Sequence, residues 1–173
     1  MKAFVLVSVF LSLLSGGVQA QGTPPEPTDK IHVTGQIEKS WYISGASLAH
    51  YPVIEIGDVV ITNHSGQPRG TAKQLRGVRV KDVLREMVLN EPNPKFWSMF
   101  YLVFQAQDGY QVVYSWNEIF NSPAGEEIYL ITSKEGMAWY QMPERILVLT
   151  PNDIQTGRRH IKALQTIEVR RVQ

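Results

Sequence analysis

Alternating apolar and polar positions along much of the chain predict several short strands. Ile31 and Val33 alternate with polar neighbours, which is the period of a strand with one buried face. Residues 53–62 are rich in β-branched side chains and predict one strand, or two strands broken near Gly57. Further apolar runs predict strands at 128–132, 145–150 and 166–172.

The clearest hairpin is predicted over residues 99–115. Two β-rich runs flank Asp108-Gly109, and Asp-Gly favours a tight turn because glycine accepts a positive φ at little cost. The second run continues into a short helix, since Ser115 and Glu118 have the spacing of a capping box.

Helical periodicity is strongest over residues 80–88. Five apolar residues there occur at i, i+3, i+4, i+7 and i+8 and predict one buried face. They are Val80, Val83, Leu84, Met87 and Val88. The preceding residues, 63–79, are predicted to be a loop, and a helical turn is predicted before Pro52. Together these elements predict a single α+β domain over residues 31–173, with an open, mixed, mainly-β sheet and a few short helices.

The first 20 residues have the features of a secretory signal peptide in the usual order. Lys2 precedes an apolar run over residues 3–14, and Val18-Gln19-Ala20 is a small-residue cleavage pattern. The run is too short for a membrane span of about 20 apolar residues, and no other segment approaches that length. We therefore expect residues 1–20 to be removed on export. Residues 21–30 are then a proline-rich tether, and the product is periplasmic or secreted without a membrane span.

Charge and cysteine content narrow the classes of function. The chain has 17 basic and 16 acidic residues, and loss of Lys2 with the signal peptide leaves 16 of each, a net charge of zero. A neutral chain gives no case for nucleic-acid binding. The chain has no cysteine, which excludes thiol nucleophiles, iron–sulfur clusters and thiolate metal ligands. No two histidines have the spacing of a zinc site, and neither a metal site nor a catalytic residue is predicted.

The order of several segments resembles the molybdopterin-binding domain of the sulfite oxidase family. The matching segments are IHVTGQI, LRGVRVKDVLREM, LVFQAQDGYQVVYSWNEI, PERILVLTPND and RRHIKALQTIEV. Together they cover roughly residues 31–172. The resemblance implies the α+β fold of that family and a cleft that holds molybdenum on a pterin dithiolene.

The resemblance also implies where a ligand binds. In that family a cysteine thiolate holds the molybdenum from the loop that here follows Thr62, so the missing cysteine leaves molybdopterin in doubt as a cofactor. The implied cleft is built from the loop 63–70, the hairpin tip 108–110 and the basic segment 158–162. Its glycines and cations suit a small anionic or pterin-like ligand. The candidate binding residues are Asn63, His64, Ser65, Arg69, Asp108, Tyr110, Arg145, Arg158, Arg159 and Lys162.

Three functions remain open at this point. The first is a non-catalytic exported domain that binds a small anion, a pterin-like molecule or another exported protein in this cleft. The second is a molybdenum-cofactor oxidoreductase that holds its metal without a cysteine. The third is an interaction subunit that uses the aromatic segment 95–104, which predicts an exposed apolar patch and a filled cleft. A cleft lined by Arg69, Arg158 or Arg159 favours the first two, and one plugged by side chains such as Trp139 favours the third.

Overall fold

The structure of this protein is a computed structural model that describes residues 25–63 and 65–173. The predicted signal peptide, the first four residues of the predicted tether and His64 lie outside the described residues, so those assignments stay predictions. Within the two described ranges, no helix has the length and apolar character needed to cross a bilayer.

Residues 25–63 and 65–173 form two sheets, and the first has five strands. In spatial order they are β2 (Trp41–Ser44), β1 (Lys30–Gly35), β10 (Leu164–Arg171), β5 (Phe100–Ala106) and β6 (Gln111–Ser115). β1 and β10 run parallel, and the other neighbours run antiparallel. β5 and β6 form the predicted hairpin, with Gly109 at φ +86° in its turn.

The second sheet is antiparallel and packs on the other side of the larger hydrophobic core. It contains β3 (Ile54–Thr62), β4 (Pro68–Arg79), β7 (Tyr129–Lys134) and β8 (Met137–Ala138) in this order, with β9 (Leu147–Leu149) also paired to β7. The α+β class and the mainly-β character are confirmed. The strands form two sheets, however, instead of the single open sheet expected from the sequence.

The helices are short. The described residues contain two α-helical segments, α1 (Val80–Val83) and α2 (Trp116–Phe120). The Ser115 hydroxyl caps α2 as predicted by accepting the Glu118 N–H at 3.0 Å. Five 3₁₀ helices complete the described residues: Ala46–His50, Pro94–Met99, Pro123–Glu127, Trp139–Gln141 and Thr156–Arg159.

Two hydrophobic cores follow from the alternation of side chains along β7. Leu130 enters the larger core, which lies between the sheets and also contains Val169 of β10. Its neighbours Tyr129 and Ile131 point to the opposite face of β7 and enter the smaller core. The second sheet is therefore covered on both faces, which explains why β7 and β9 read as continuous apolar runs.

The predicted loop over residues 63–79 is wrong for most of its length. β4 occupies this segment and pairs with β3 on one side and β7 on the other. Its alternation is broken by irregularities in register, and Gln74 has φ +50°. The Asp58 carboxylate accepts the Gln74 N–H at 2.8 Å and replaces the lost ladder bond. The glycines and basic residues of this segment, which are typical of a loop, therefore belong to a bulged strand.

The predicted helix over residues 80–88 ends after one turn. The chain leaves α1 because residues beyond it pair with the segment after β1: Glu38 donates its N–H to the Val88 carbonyl at 3.0 Å, and Asn90 donates to Gln36 at 3.1 Å. This tertiary pairing overrides the helical period. Val80, Val83 and Leu84 are buried as expected, whereas Val88 is 53% exposed.

The end of the predicted tether is fixed to the domain. Thr28 donates its N–H to the Arg145 carbonyl at 2.6 Å and its hydroxyl to the Leu164 carbonyl at 2.8 Å. The hydroxyl also accepts the Ile146 N–H at 3.0 Å. Thr28 is thereby attached on the β10 flank of β1.

Contact between Gly45 and Trp139 joins the two sheets, because β2 leads into Gly45 and Trp139 follows β8. A Cβ added at Gly45 would lie 2.4 Å from two carbons of the Trp139 ring. We expect Gly45→Ala to lower the free energy of unfolding by about 1–3 kcal/mol, because the indole must move out of its site. Urea unfolding measures the loss. Gly70→Ala is the matched control, since nothing lies within 4 Å of its added Cβ, and equal losses in both variants would contradict this account.

Candidate functional site

The predicted cleft segments meet around the 3₁₀ helix Thr156–Arg159. The Thr156 hydroxyl donates to the Val60 carbonyl at 2.7 Å and accepts the Thr62 N–H at 3.1 Å. Thr156 thus pairs with the free edge of β3 as a neighbouring strand would. A Cβ on Gly157 would lie 1.8 Å from the Thr62 carbonyl oxygen, so only glycine permits this close approach.

The hairpin tip joins the same place. The Tyr110 hydroxyl donates to the Arg158 carbonyl at 2.6 Å, which ties the end of the β5–β6 hairpin to the basic segment. A Cβ on Gly66, in the turn between β3 and β4, would lie 3.6 Å from the Gln155 amide. The structure therefore brings together all three segments that the resemblance implies, although the side chains make different contacts from those expected.

Arg159 is the centre of a polar cluster at this junction. Its guanidinium forms ion pairs with Asp153 and Glu118, and its Nε donates to Asp153 Oδ2 at 2.7 Å. The guanidinium carbon lies 4.8 Å from the centroid of the Tyr114 ring, within reach of a cation–π interaction. The hydrogen bonds that the guanidinium donates to Asp153 raise the pKa of Arg159 above its ordinary value, against the opposing effect of burial. The charges of Asp153 and Arg159 are thus paired with each other within the protein.

Tyr114 lies beneath this cluster and forms its floor. Burial raises the pKa of the Tyr114 phenol to about 12, and its hydroxyl lies 3.3 Å from the Thr150 hydroxyl. The Phe104 ring packs against it with the centroids 4.9 Å apart. Tyr114 therefore stays neutral at physiological pH and supports Arg159 from the side of the core.

Three of the other four predicted cations have partners in the protein. Arg145 donates from Nε to Asp29 at 2.8 Å, and the Lys162 ammonium lies 3.9 Å from the Glu144 carboxylate. Arg158 donates from Nε to the Gln155 amide oxygen. Arg69 is an exposed residue of β4 and forms no ion pair with any residue in the described ranges.

Two of the candidate polar residues shape turns. Asn63 Oδ1 accepts the N–H groups of Ser65 and Gln67, both at 2.9 Å, and so closes the tip between β3 and β4. Asp108 Oδ1 accepts the Tyr110 N–H at 3.0 Å in the β5–β6 turn. These carboxamide and carboxylate oxygens are hydrogen-bonded within their own turns, as Asx turns are, and Ser65 is an exposed residue of the first turn.

His160 adds no positive charge to the junction. Burial lowers its pKa to about 4, and the nearby Lys162 and Lys134 ammonium groups lower it further. Glu144 opposes this shift but does not cancel it. The imidazole is therefore neutral at pH 7.

The depression that remains at the junction is shallow and one-sided. It has a volume of about 530 Å³. All of its lining residues come from the segment before β10: Asn152, Asp153, Ile154, Gln155, Arg158 and Arg159. Neither the 63–70 segment nor the hairpin tip contributes to its wall, and Trp139 packs in the smaller core instead of plugging it. The side chains that fill the junction are Arg159, Asp153 and Glu118.

The residues at this junction do not fit the molybdenum centre that the resemblance implies. No thiolate exists in the chain to bind the metal, and Arg159, one of the two cations that line the depression, already holds two carboxylates. Within the described residues, no cluster of three or more histidine, aspartate or glutamate side chains could hold a metal ion. The arrangement offers hydrogen bonds and ion pairs that stabilise the protein itself.

Two open grooves lie elsewhere on the surface, between the end of α1 and its aromatic neighbours. The Trp97 groove has a volume of about 690 Å³. It is lined by Glu38, Leu84, Arg85, Met87, Val88, Leu89, Asn90, Glu91, Pro92, Trp97, Trp116 and Phe120. The Trp97 and Trp116 ring centroids are 5.3 Å apart, and the Trp97 indole N–H donates to the Glu91 carbonyl at 2.9 Å. The groove wall therefore contains a tilted pair of indole rings, one of which is held by a hydrogen bond to the backbone.

The Trp41 groove lies beside the first and has a volume of about 570 Å³. It is lined by Glu38, Lys39, Trp41, Tyr42, Ile43, Ser47, Tyr51, Asp82, Val83, Arg85, Glu86 and Val88. Glu38, Arg85 and Val88 belong to both grooves and form a ridge between them. We call the two grooves and this ridge the aromatic surface.

Sequence reasoning found only part of this surface. The aromatic segment 95–104 was identified as a possible contact patch, and Trp97 does line a groove. Met87 and Val88 are predicted from the sequence to lie on the buried face of a longer helix. Their place in the groove wall was therefore not predicted. Trp41 and Trp116 had no local signal, because only the tertiary fold brings β2 and α2 to the two sides of residues 84–92.

Comparison with known proteins agrees with the fold. No protein-family model matches the chain, and no curated protein matches its sequence. Among solved structures, the chain is similar to the sulfane dehydrogenase SoxCD from Paracoccus pantotrophus, with 12% sequence identity and a TM-score of 0.58. The similarity covers 81% of this chain and 37% of that chain. It supports a fold-level relationship to the sulfite oxidase-like molybdopterin fold.

The neutral state of His160 predicts a pH dependence of stability. The pKa of His160 is about 4 in the folded protein, against an ordinary value of 6.5. Between these two pH values the imidazole is protonated in the unfolded chain and neutral in the folded one, so acid favours unfolding. We expect the free energy of unfolding to fall from pH 6.5 towards pH 4, and His160→Gln to remove that part of the fall. Urea unfolding of both proteins at several pH values measures it. The difference between them should stay constant from pH 7 to 8, and a constant difference down to pH 4 would refute the assignment.

Proposed function

We propose that this protein is an exported, non-catalytic binding domain of the sulfite oxidase-like molybdopterin fold, and that its ligand is a segment of a protein chain. The observation that carries the proposal is that Arg159 is already paired with carboxylates of the chain. Its guanidinium is bound by Asp153 and Glu118 at the place where the resemblance implies an anionic ligand. An incoming anion would have to displace both carboxylates, each of which is partly buried.

The same observation weakens the proposal of a small anionic or pterin-like ligand. Arg145 and Lys162 also contact carboxylates of the chain, and His160 is neutral. The chain expected after export has a formal charge of zero, so no general excess of positive charge compensates for these pairs. The exposed apolar surface is one of the two features that the sequence predicts for an interaction subunit. The other feature, a cleft plugged by side chains such as Trp139, is not found, because Arg158 and Arg159 line the depression and Trp139 packs in the smaller core.

The aromatic surface supports the choice of a protein ligand. Aromatic side chains with one polar edge are favoured at protein interfaces, where they supply a large contact area at a small entropic cost. Val88 is 53% exposed at the centre of the surface, so it can contact a partner without any rearrangement. Export rests on the predicted signal peptide, which also places the partner in the periplasm or outside the cell.

Elemental analysis tests this proposal against the molybdenum-enzyme alternative. The protein is exported from a host with an intact molybdenum-cofactor pathway, and molybdenum, tungsten and released pterin are measured per folded chain. We expect substoichiometric traces of each, at the level of an Arg159→Gln control that has lost the central cation. Near-stoichiometric metal with pterin in the unmodified protein, reduced in the control, would overturn the proposal and identify an oxidoreductase.

A further inference from the structure

The Trp41 groove lies along a free edge of the first sheet. β2 is an end strand of that sheet, and its only strand partner among residues 25–63 and 65–173 is β1. Gly45, which follows β2, donates its N–H to the Asp29 carbonyl at 2.8 Å. Since alternate residues of an antiparallel strand bond the same neighbour, Trp41 and Ile43 also bond β1, whereas the backbone N–H and C=O of Tyr42 point away from it. The backbone of Tyr42 can therefore pair with another chain.

The helix α1 bounds this groove on the core side of the sheet. Val83 of α1 and Ile43 of β2 line the groove and belong to the larger core, and Trp41 packs against that core. The Tyr42 side chain points to the other face, where its ring stacks on the His32 ring with the centroids 4.6 Å apart. An extended segment added to the edge would thus place alternate side chains in the groove and the remaining ones beside Tyr42.

The charges around the groove favour a basic segment. Three carboxylates and two cations line it: Glu38, Asp82, Glu86, Lys39 and Arg85. None of these five side chains forms an ion pair or a hydrogen bond with any residue in the described ranges. The Trp97 groove adds a fourth carboxylate, Glu91, which pairs with Arg171 at 2.9 Å. Carboxylates therefore outnumber cations by four to two over the aromatic surface.

Neither a second copy of β2 nor the chain's own tether has this chemistry. Pairing of two β2 edges would bring the acidic grooves of both copies together, and like charges at an interface oppose association. Residues 21–29 contain two carboxylates, Glu26 and Asp29, and no lysine or arginine. The occupant with complementary charge is a segment of a different protein.

We propose that an extended basic segment of a partner protein adds to β2 as a sixth strand, with lysine or arginine at alternate positions facing Glu38, Asp82 and Glu86. The Trp41 ring in the same groove stabilises such a cation by cation–π attraction. The intervening residues pair with the backbone of Tyr42 and place β-branched side chains beside its ring. This inference rests on the proposed function, because it takes part of the aromatic surface as the docking site and states the chemistry of the partner.

Isothermal titration calorimetry with a synthetic peptide tests the charge. The probe is the end-blocked heptapeptide Thr-Lys-Val-Lys-Val-Lys-Thr, and its control has glutamate in place of each lysine. We expect the lysine peptide to bind the exported protein at least about tenfold more tightly than the glutamate peptide, because its cations face carboxylates.

Substitutions in the protein test the position of the binding site. Asp82→Asn with Glu86→Gln should weaken binding of the lysine peptide by about three- to tenfold, as expected for the loss of two ion pairs. Glu55→Gln with Glu135→Gln is the matched control, since it removes the same charge at two exposed positions outside both grooves. This control should bind the peptide like the unmodified protein.

N-methylation of the peptide tests strand addition. The lysine side chains lie on the core side, so the valines are the residues whose N–H groups face β2. Methylation of both valine nitrogens should abolish binding, whereas methylation of two lysine nitrogens should change it by less than about twofold. These peptides are compared on the unmodified protein, so the test holds even if a substitution disturbs folding.

Three results would overturn the inference: no binding of the lysine peptide, equal binding of the glutamate peptide, or a loss that does not depend on which nitrogens are methylated. A dimer in sedimentation equilibrium that excludes the peptide would also overturn it and assign the edge to a second copy. None of these results bears on the metal and pterin content, so failure here is distinct from failure of the proposed function.

Discussion

The ion-pair cluster around Arg159 is the interaction on which the candidate site depends. Asp153 and Glu118 come from different parts of the chain, the loop before the last 3₁₀ helix and α2. Their shared partner therefore joins α2, the floor residue Tyr114 and the segment that leads to β10. Because the guanidinium has donors in a fixed plane, it can hold both carboxylates and still stack on the phenol ring.

Because of this cluster, the fold of the protein does not by itself indicate what the protein binds. In a domain of the sulfite oxidase-like molybdopterin fold, the same junction is where the resemblance implies a cofactor, yet here the polar groups satisfy one another. The helix α2 contributes to both places. Its Glu118 pairs with Arg159, and its Trp116 and Phe120 line the Trp97 groove. Closing the junction and presenting the aromatic surface thus involve one short element. A fold can keep its architecture while the place of binding moves.

The sequence predicts some parts of this molecule well for local reasons. The β5–β6 hairpin follows from Asp108-Gly109, and α2 follows from its Ser115 cap, because turn and cap chemistry act within a few residues. β4 was missed because its bulge at Gln74 breaks the alternation that identifies strands. The meeting of the three cleft segments follows from the resemblance, but the ion pairing of Arg159 is invisible in sequence, since Glu118 is 41 positions away. The Trp97 groove requires the tertiary pairing that ends α1.

A double-mutant cycle between Arg159 and Asp153 tests the central claim most directly. The free energies of unfolding of the unmodified protein, Arg159→Gln, Asp153→Asn and the double variant are measured in urea at pH 7. If the guanidinium is committed to Asp153, the two substitutions are coupled, and we expect an interaction energy of about 1–2 kcal/mol. An interaction energy within about 0.3 kcal/mol of zero, as for independent sites, would mean that Arg159 is available to an external anion and would contradict this account.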